Sequence, residues 1–272
     1  MIRLFKGTVF TMTDFGKAAK ALIEARLEGR QLDALPDGVT LTTMADAYAV
    51  QDAIIEQLGE PVAGWKIGAT SDAVMQLLGT DEPFTGPMYA PQMHSSPASL
   101  RLPRQGILGI ESEFSLQLAT ALPSRGAAYP EDEVAAAVGA VASSIEVVAA
   151  RLKNAIELGV TALTADHGAN LAWLHSEPQK DWKSHDLAAH EVHLLINDAE
   201  VASGIGGDVL GHPLKALVWL ANHLSARGYG LTAGAWVSTG SCTGIVPVRT
   251  DDRVVADFGT LGRVNLTLVS PS

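Results

Sequence analysis

Apolar positions recur at helical spacing through the first ~60 residues. Phe15, Ala18, Ala19, Leu22 and Ile23 form one stripe, and Gly29 is placed to stop that helix. Thr43-Met-Ala-Asp46 reads as a capping box ahead of Val50, Ile54, Ile55 and Leu58, with Gly59 as the stop. Ser71-Asp72-Ala73 opens a short third helix carrying Val74, Leu77 and Leu78, closed by Gly79. From about residue 84 glycine, proline and short β-branched runs become dense, which predicts strands. Leu108, Ile110, Ser112, Phe114, Leu116 and Leu118 share one strand face; Gly109, Glu111, Glu113, Ser115 and Gln117 share the other. Further strands are expected at 143–148, 192–196, 235–237, 253–256 and 263–268, and helices after Pro130 and Pro213. The pattern predicts a mixed α/β chain: a helical N-terminal segment, residues 1–80, packing on a mixed β core, residues 81–272.

Composition narrows the function. The chain has 272 residues, with 19 Lys+Arg against 30 Asp+Glu and a formal charge of −11. An acidic balance argues against nucleic acid as a partner. No apolar run reaches the roughly 18 residues a spanning helix needs, so no membrane segment is expected. Neither the region around Lys6 nor Ser270-Pro271-Ser272 reads as a targeting signal, and the single Cys242 can make no internal disulfide, so a cytoplasmic enzyme is expected.

Four constellations could carry chemistry. Glu111 and Glu113, at i and i+2 of a strand, project to one side, as either a solvated face or a pair awaiting a cation. Glu146 stands alone in the apolar run Ser144-Ile-Glu-Val-Val148, either wet or a third ligand. Lys66, inside Gly64-Trp-Lys-Ile-Gly68, is either a snorkelling lysine or a buried acid, base or anion holder. Asp166-His167-Gly168-Ala169-Asn170 is either a general acid/base cluster or a turn with a capping aspartate. The loop Val237-Ser-Thr-Gly-Ser-Cys-Thr-Gly244 offers N–H groups to a carboxylate or phosphate, with Cys242 a nucleophile or an inert buried thiol.

In order along the chain, Gly64-Trp-Lys-Ile-Gly68, Ile110-Glu-Ser-Glu-Phe114, Ile145-Glu-Val-Val148 with Arg151, Ala165-Asp166, Gly211-His-Pro-Leu214 with Trp219-Leu-Ala-Asn222, and Ser238-Thr-Gly240 with Val246-Pro-Val248 resemble the 2-keto-4-pentenoate hydratase family. That family lies in the fumarylacetoacetate hydrolase superfamily and includes 4-oxalocrotonate decarboxylases. The resemblance implies a distorted β-barrel or roll with packed helices, and a Mg²⁺ or Mn²⁺ lyase acting on a small-molecule 2-oxo acid in aromatic meta-cleavage catabolism. It implies Glu111, Glu113 and Glu146 as metal ligands, Lys66, Asp166 and His167 as catalytic residues, and Arg151, Thr239 and Gly240 as substrate contacts. It also implies a homo-oligomer and leaves a complex with a paralogous catabolic enzyme open. Three positions depart from the family pattern. Phe84 stands where hydratases carry an acid, Ala149 where an aspartate is usual, and His167 where asparagine is common. Decarboxylases tend to be apolar at the first position. Acylpyruvate hydrolysis and a non-catalytic partner subunit are the alternative functions.

Overall fold

The computed structural model describes residues 14–270; the N-terminal stretch around Lys6 and the last two residues lie outside the described residues. The elements in order are α1 (Asp14–Glu28), α2 (Met44–Leu58), β1 (Val62–Gly68), α3 (Asp72–Leu78), β2 (Phe84–Tyr89), β3 (Met93–Ser95), β4 (Ala98–Arg101), β5 (Ile107–Leu118), α4 (Glu131–Ala137), β6 (Val138–Ala149), α5 (Val160–Ala165), β7 (Asn170–His175), β8 (Glu191–Ile196), β9 (Ala199–Ile205), α6 (Pro213–Ala226), β10 (Trp236–Ser241), β11 (Arg253–Asp257) and β12 (Arg263–Val269). A curled seven-stranded sheet runs β2-β1-β10-β5-β6-β7-β3, and a five-stranded sheet runs β4-β12-β11-β8-β9.

The local signals act as their chemistry dictates. Thr43 accepts from the Asp46 amide, and Asp46 returns the bond to the Thr43 amide, so α2 starts with both donors satisfied. Ser71 caps α3, and Gly79 ends it in the left-handed conformation. His212 Nδ1 accepts from the Leu214 amide at 3.0 Å, and Pro213 fills the first turn of α6.

One part of the expected organisation changes. β1 lies inside the segment expected to be helical, yet it runs in the large sheet, parallel to β10 and antiparallel to β2. A strand covered on both faces carries no alternation, and two glycines weaken its strand signal, so periodicity passes over it. Residue 80 therefore divides no two bodies: the N-terminal helices and the sheet interleave.

Two apolar clusters hold the layers together. The larger joins both sheets to α4 and α6, with Phe114 edge-on to Phe258 at 5.0 Å. The second packs α1, α2 and α5 against the large sheet through Leu22, Val50, Ile54, Leu163, Phe84 and Val148. Gln51 fastens this helical layer: its buried amide donates to the Thr85 carbonyl at 2.8 Å and the Thr164 carbonyl at 2.9 Å. The turn after α5 lies so close to β2 that a Cβ on Gly86 would strike the His167 carbonyl oxygen. Gly86→Ala is expected to cost about 1–3 kcal/mol and lower Tm by roughly 5 °C in a thermal melt. Gly126→Ala, where nothing lies within 4 Å, should leave Tm unchanged.

Candidate metal centre and active site

The long antiparallel pair β5–β6 sets the site. Glu111 and Glu146 are directly opposite across the ladder, and Glu113, two residues along, shares their face. One oxygen from each of the three carboxylates lies within 4.8 Å of the others. Lys66, on β1, has its Nζ within 3.4 Å of Glu146 Oε1 on β6. Lys66, Glu113 and Glu146 are all at most 3% exposed, which excludes a solvated face and a snorkelling lysine.

The neighbouring polar groups orient these carboxylates. Asn170, at the start of β7, donates Nδ2 to Glu146 Oε1 at 2.9 Å. Glu146 Oε2 is buried and has no hydrogen-bond partner among the described residues. Glu113 Oε2 accepts from Ser238 Oγ and from the Gly240 amide, the latter at 3.1 Å. That amide is free because the β10–β5 register slips between Ser238 and Ser241. Gly240 has φ +113°, and a Cβ there would strike Thr70, so glycine is required. Trp173 Nε1 lies 3.2 Å from both the Ser115 and Ser238 hydroxyls, and Ser115 in turn meets Ser144 at 2.7 Å.

Burial first, and then mutual repulsion, makes ionisation of the acids costly. Burial and the Glu146 charge push Glu111 up to about 7 against the opposing pull of Lys66. Glu113 is driven well above the usual carboxylate range by burial, then by Glu146 and Glu111. Glu146 is raised by burial, against Lys66 and Asn170. Burial alone would lower Lys66, but the three carboxylates overcome it and hold the ammonium protonated. Fully ionised, three carboxylates against one ammonium would leave two negative charges uncompensated. A divalent cation cancels that excess, and all-oxygen donors with an orphaned carboxylate oxygen suit a hard ion.

A cavity of about 550 Å³ opens onto this cluster. Its floor is Lys66, Glu111, Gly168 and Ser241; its wall includes Phe84, Leu108, Ile156 and Leu163, and α3 stands at its mouth with Val74 and Leu77. The Phe84 ring lies 5.4 Å from Lys66 Nζ.

No protein-family model matches the chain. It is 30% identical over 245 residues to the 2-hydroxyhexa-2,4-dienoate hydratase of Comamonas testosteroni, covering 88% of this chain and 92% of that protein. It is 31% identical to 2-keto-4-pentenoate hydratase 1 of Dechloromonas aromatica (strain RCB), over 92% of this chain and 95% of the relative. The chain belongs to the 2-keto-4-pentenoate hydratase and 4-oxalocrotonate decarboxylase family. Among solved structures, the 4-oxalocrotonate decarboxylase from Pseudomonas putida G7, complexed with magnesium and adipate, superposes with TM-score 0.87 at 26% identity over 97% of this chain and 100% of that one. The fumarylpyruvate hydrolase from Pseudomonas aeruginosa, in complex with Mn²⁺ and pyruvate, shares the fold at TM-score 0.61 and 13% identity, over 78% and 91% of the two chains. The fold is thus the mixed α/β roll of the fumarylacetoacetate hydrolase superfamily.

In this family member the remaining expected site residues sit behind the cavity rather than in it. Arg151 was expected to grip substrate, but its guanidinium is engaged throughout. Nε donates to Asp166 Oδ1 at 2.6 Å, Nη1 to the Ala149 and Asn170 carbonyls, and Nη2 to the Asp166 carbonyl. Asp166 was expected to shuttle protons, yet its second oxygen accepts the Arg151 amide, and the carboxylate is 2% exposed. His167 is also buried, its ring tilted against Tyr89 at 5.5 Å; burial first, then Arg26 and Arg151, lowers it far below the usual imidazole range, so it is neutral. Arg151 and Asp166 therefore form a clamp that carries Asn170 toward Glu146. His167, Gly168 and Ala169, all at positive φ, make the turn between the two. Arg26 of α1 adds a bond from Nη1 to the Asn170 carbonyl at 2.8 Å. Thr239 donates its hydroxyl to the Phe114 carbonyl, so it and Gly240 serve the β5 side of the site and not a free anion. Ser238, Ser241, Asn170 and Arg26 had no role assigned from the sequence. Their signal is adjacency for the first three, which flank Thr239-Gly240 and end the 166–170 cluster; Arg26 has none.

Removing one partner of the clamp strands a buried charge. Arg151→Leu is expected to lose about 3–5 kcal/mol in urea unfolding, and Arg151→Leu with Asp166→Leu together less than the sum of the two single changes. The carboxylates give a pH dependence of defined sign. Glu111 titrates near 7 when folded against 4.5 ordinarily, so between these values the folded chain binds more protons than the unfolded one. Stability of the metal-free protein is fullest below that window and falls as pH rises through it. Thermal melts with and without Mg²⁺ or Mn²⁺ should show a larger metal-induced rise in Tm at about pH 8 than at about pH 5.

Proposed function

We propose that this protein is a divalent-metal-dependent lyase of the hydratase type, acting on a 2-hydroxy-2,4-dienoate, the enol form of a 2-oxo acid, in aromatic meta-cleavage catabolism. The observation that carries it is a cluster of three carboxylates, Glu113 and Glu146 buried and Glu111 half-buried, beside a buried lysine, with Glu111 and Lys66 lining a cavity. The hydratase relatives at about 30% identity support it. Glu111, Glu113 and Glu146 would hold Mg²⁺ or Mn²⁺. The bound ion supplies Lewis acidity, stabilising negative charge that develops at the carboxylate and keto oxygens of a 2-oxo acid.

The chain's own groups do the rest. Lys66 keeps its proton because the carboxylates surround it, so it holds a positive charge beside the developing enolate and can donate at that oxygen. Phe84 and the apolar wall keep water from the ammonium and so strengthen its field. Asn170 fixes Glu146, while Ser238 and the Gly240 amide fix Glu113. Hydration adds the elements of one water: hydroxyl to the inner carbon of the terminal double bond and hydrogen to its end, while the enol proton moves to the chain carbon beside the keto group.

A second reading, decarboxylation of a 2-oxo-3-enedioate, is favoured by Phe84, which puts an apolar ring beside Lys66 where hydratases carry an acid. In that reaction the bond to the distal carboxylate breaks, CO₂ leaves, and its electron pair enters the conjugated enolate. The reading also takes the protein as a cytoplasmic homo-oligomer. No helix of the described residues is long and apolar enough to cross a membrane.

Turnover of 2-hydroxy-2,4-dienoates, followed by ultraviolet absorbance with Mg²⁺, with Mn²⁺ and after chelation, tests this. Metal-dependent loss of the dienol without CO₂ is expected; CO₂ release from the dicarboxylate would replace hydratase by decarboxylase. Glu146→Gln and Lys66→Met should each lower kcat by about 100-fold or more while melting cooperatively. Full metal-dependent activity in Glu146→Gln would sink the assignment.

A further inference from the structure

The cavity floor serves the 2-oxo acid end of a substrate; its wall concerns the other end. Of the residues lining the cavity, only Lys66, Glu111 and Asp208 carry formal charge. Among the described residues of the lining Lys66 is the sole cation, and its Nζ is already drawn to Glu146. The wall beyond it, Phe84, Leu108, Ile156 and Leu163, offers no hydrogen-bond donor from its side chains, and the apolar lining continues outward to Val74 and Leu77 at the mouth. Leu77 is 67% exposed and Val74 37%, so α3 turns apolar side chains toward both cavity and solvent. Asp208, exposed in the turn after β9, adds a negative charge to the lining.

Among the described residues, a second carboxylate on the substrate tail would meet no cation there. It would lose its hydration against apolar side chains and be repelled by Asp208. An alkyl or aryl tail would meet the wall favourably. We infer that the substrate is a 2-oxo acid, in its dienol form, with an extended apolar tail and no second carboxylate, selected by the wall from Phe84 to Leu77; this rests on the lyase reading for the 2-oxo acid end. It also bears on Phe84: an apolar ring beside Lys66 here belongs to a wall shaped for an apolar tail and not to a site for a dicarboxylate.

Calorimetric binding of saturated 2-oxo acids to the Mg²⁺-loaded protein tests the tail without requiring turnover. The probes are 2-oxopentanoate, 2-oxohexanoate, 2-oxooctanoate and the dicarboxylate 2-oxoadipate. Affinity should rise roughly 3- to 4-fold per added methylene. 2-Oxoadipate should bind at least about tenfold more weakly than 2-oxohexanoate of equal chain length. Leu77→Arg, at an exposed position that the fold tolerates, should narrow that gap and weaken 2-oxooctanoate. Equal or tighter binding of 2-oxoadipate, affinity independent of tail length, or no binding of any probe would each overturn the inference. Failure of the lyase reading has a different signature: tail-dependent binding as expected, but no metal-dependent turnover of any dienoate.

Discussion

Three carboxyl groups in the dry centre of a β-sheet are the constraint around which this protein is arranged. The β5–β6 ladder places Glu146 opposite Glu111 and puts Glu113 on the same face. A one-residue slip would send Glu146 to the opposite face from its partners. Long, fully packed strands guard against that slip, because Ile110, Phe114, Ile145 and Val147 would have to leave their places with it. The acids repel each other and lose hydration, and the two most buried are given donors: Asn170 and Lys66 for Glu146, Ser238 and a bulge amide for Glu113. Apart from Lys66, those donors set direction without cancelling charge. The remaining excess is what suits the cluster to a doubly charged ion.

A second buried pair supports the first from behind. Arg151 and Asp166 make a closed unit that leaves little charge showing, and the Arg151 guanidinium also holds the Ala149 and Asn170 carbonyls. The turn at 167–169 depends on it. Three successive residues at positive φ are unfavourable for an L-chain and persist only where surrounding contacts over-determine them. Arg26 from α1 and Gln51 from α2 reach the same region. The helical layer is therefore part of the active-site support and not a cover laid over a finished core.

The sequence made the acids legible and left much of their support hidden, for reasons that differ residue by residue. Glu111 and Glu113 stood out because period-2 alternation put two charges on one side of an otherwise apolar strand. Glu146 stood out as a lone charge in a buried run. The α2 and α3 boundaries were legible because capping is a local interaction. β1 was not, because a strand buried on both faces has no polar side to reveal it. The mutual contact of Arg151 and Asp166 was not legible because proximity in a motif says nothing of which way a side chain turns; in the structure they turn toward each other. The bulge that frees the Gly240 amide depends on a register between strands far apart in sequence, which no local pattern encodes.

The chemistry at the floor and the selection at the wall are separable in this fold. The floor is built from strands β1, β5, β6 and β10, whose register fixes the Glu and Lys positions within narrow limits. The wall comes mostly from α3, the start of β2, the segment before α5 and α5 itself, with Leu108 from the beginning of β5, and its apolar side chains have no hydrogen-bond geometry to keep. An apolar wall residue can change size at a modest cost in packing, whereas moving one carboxylate leaves an unbalanced buried charge. Phe84 joins the two regions. Its ring borders the cavity and lies over Lys66, so it shapes the space for substrate and also keeps the lysine dry. Exchanging an acid for a phenyl ring there removes a proton donor from the site and at the same time strengthens the pull of the three carboxylates on the one remaining ammonium. Of the three residues expected to move protons, Lys66 is the one that lines the cavity; His167 is held neutral and faces Tyr89, and Asp166 is bound to Arg151.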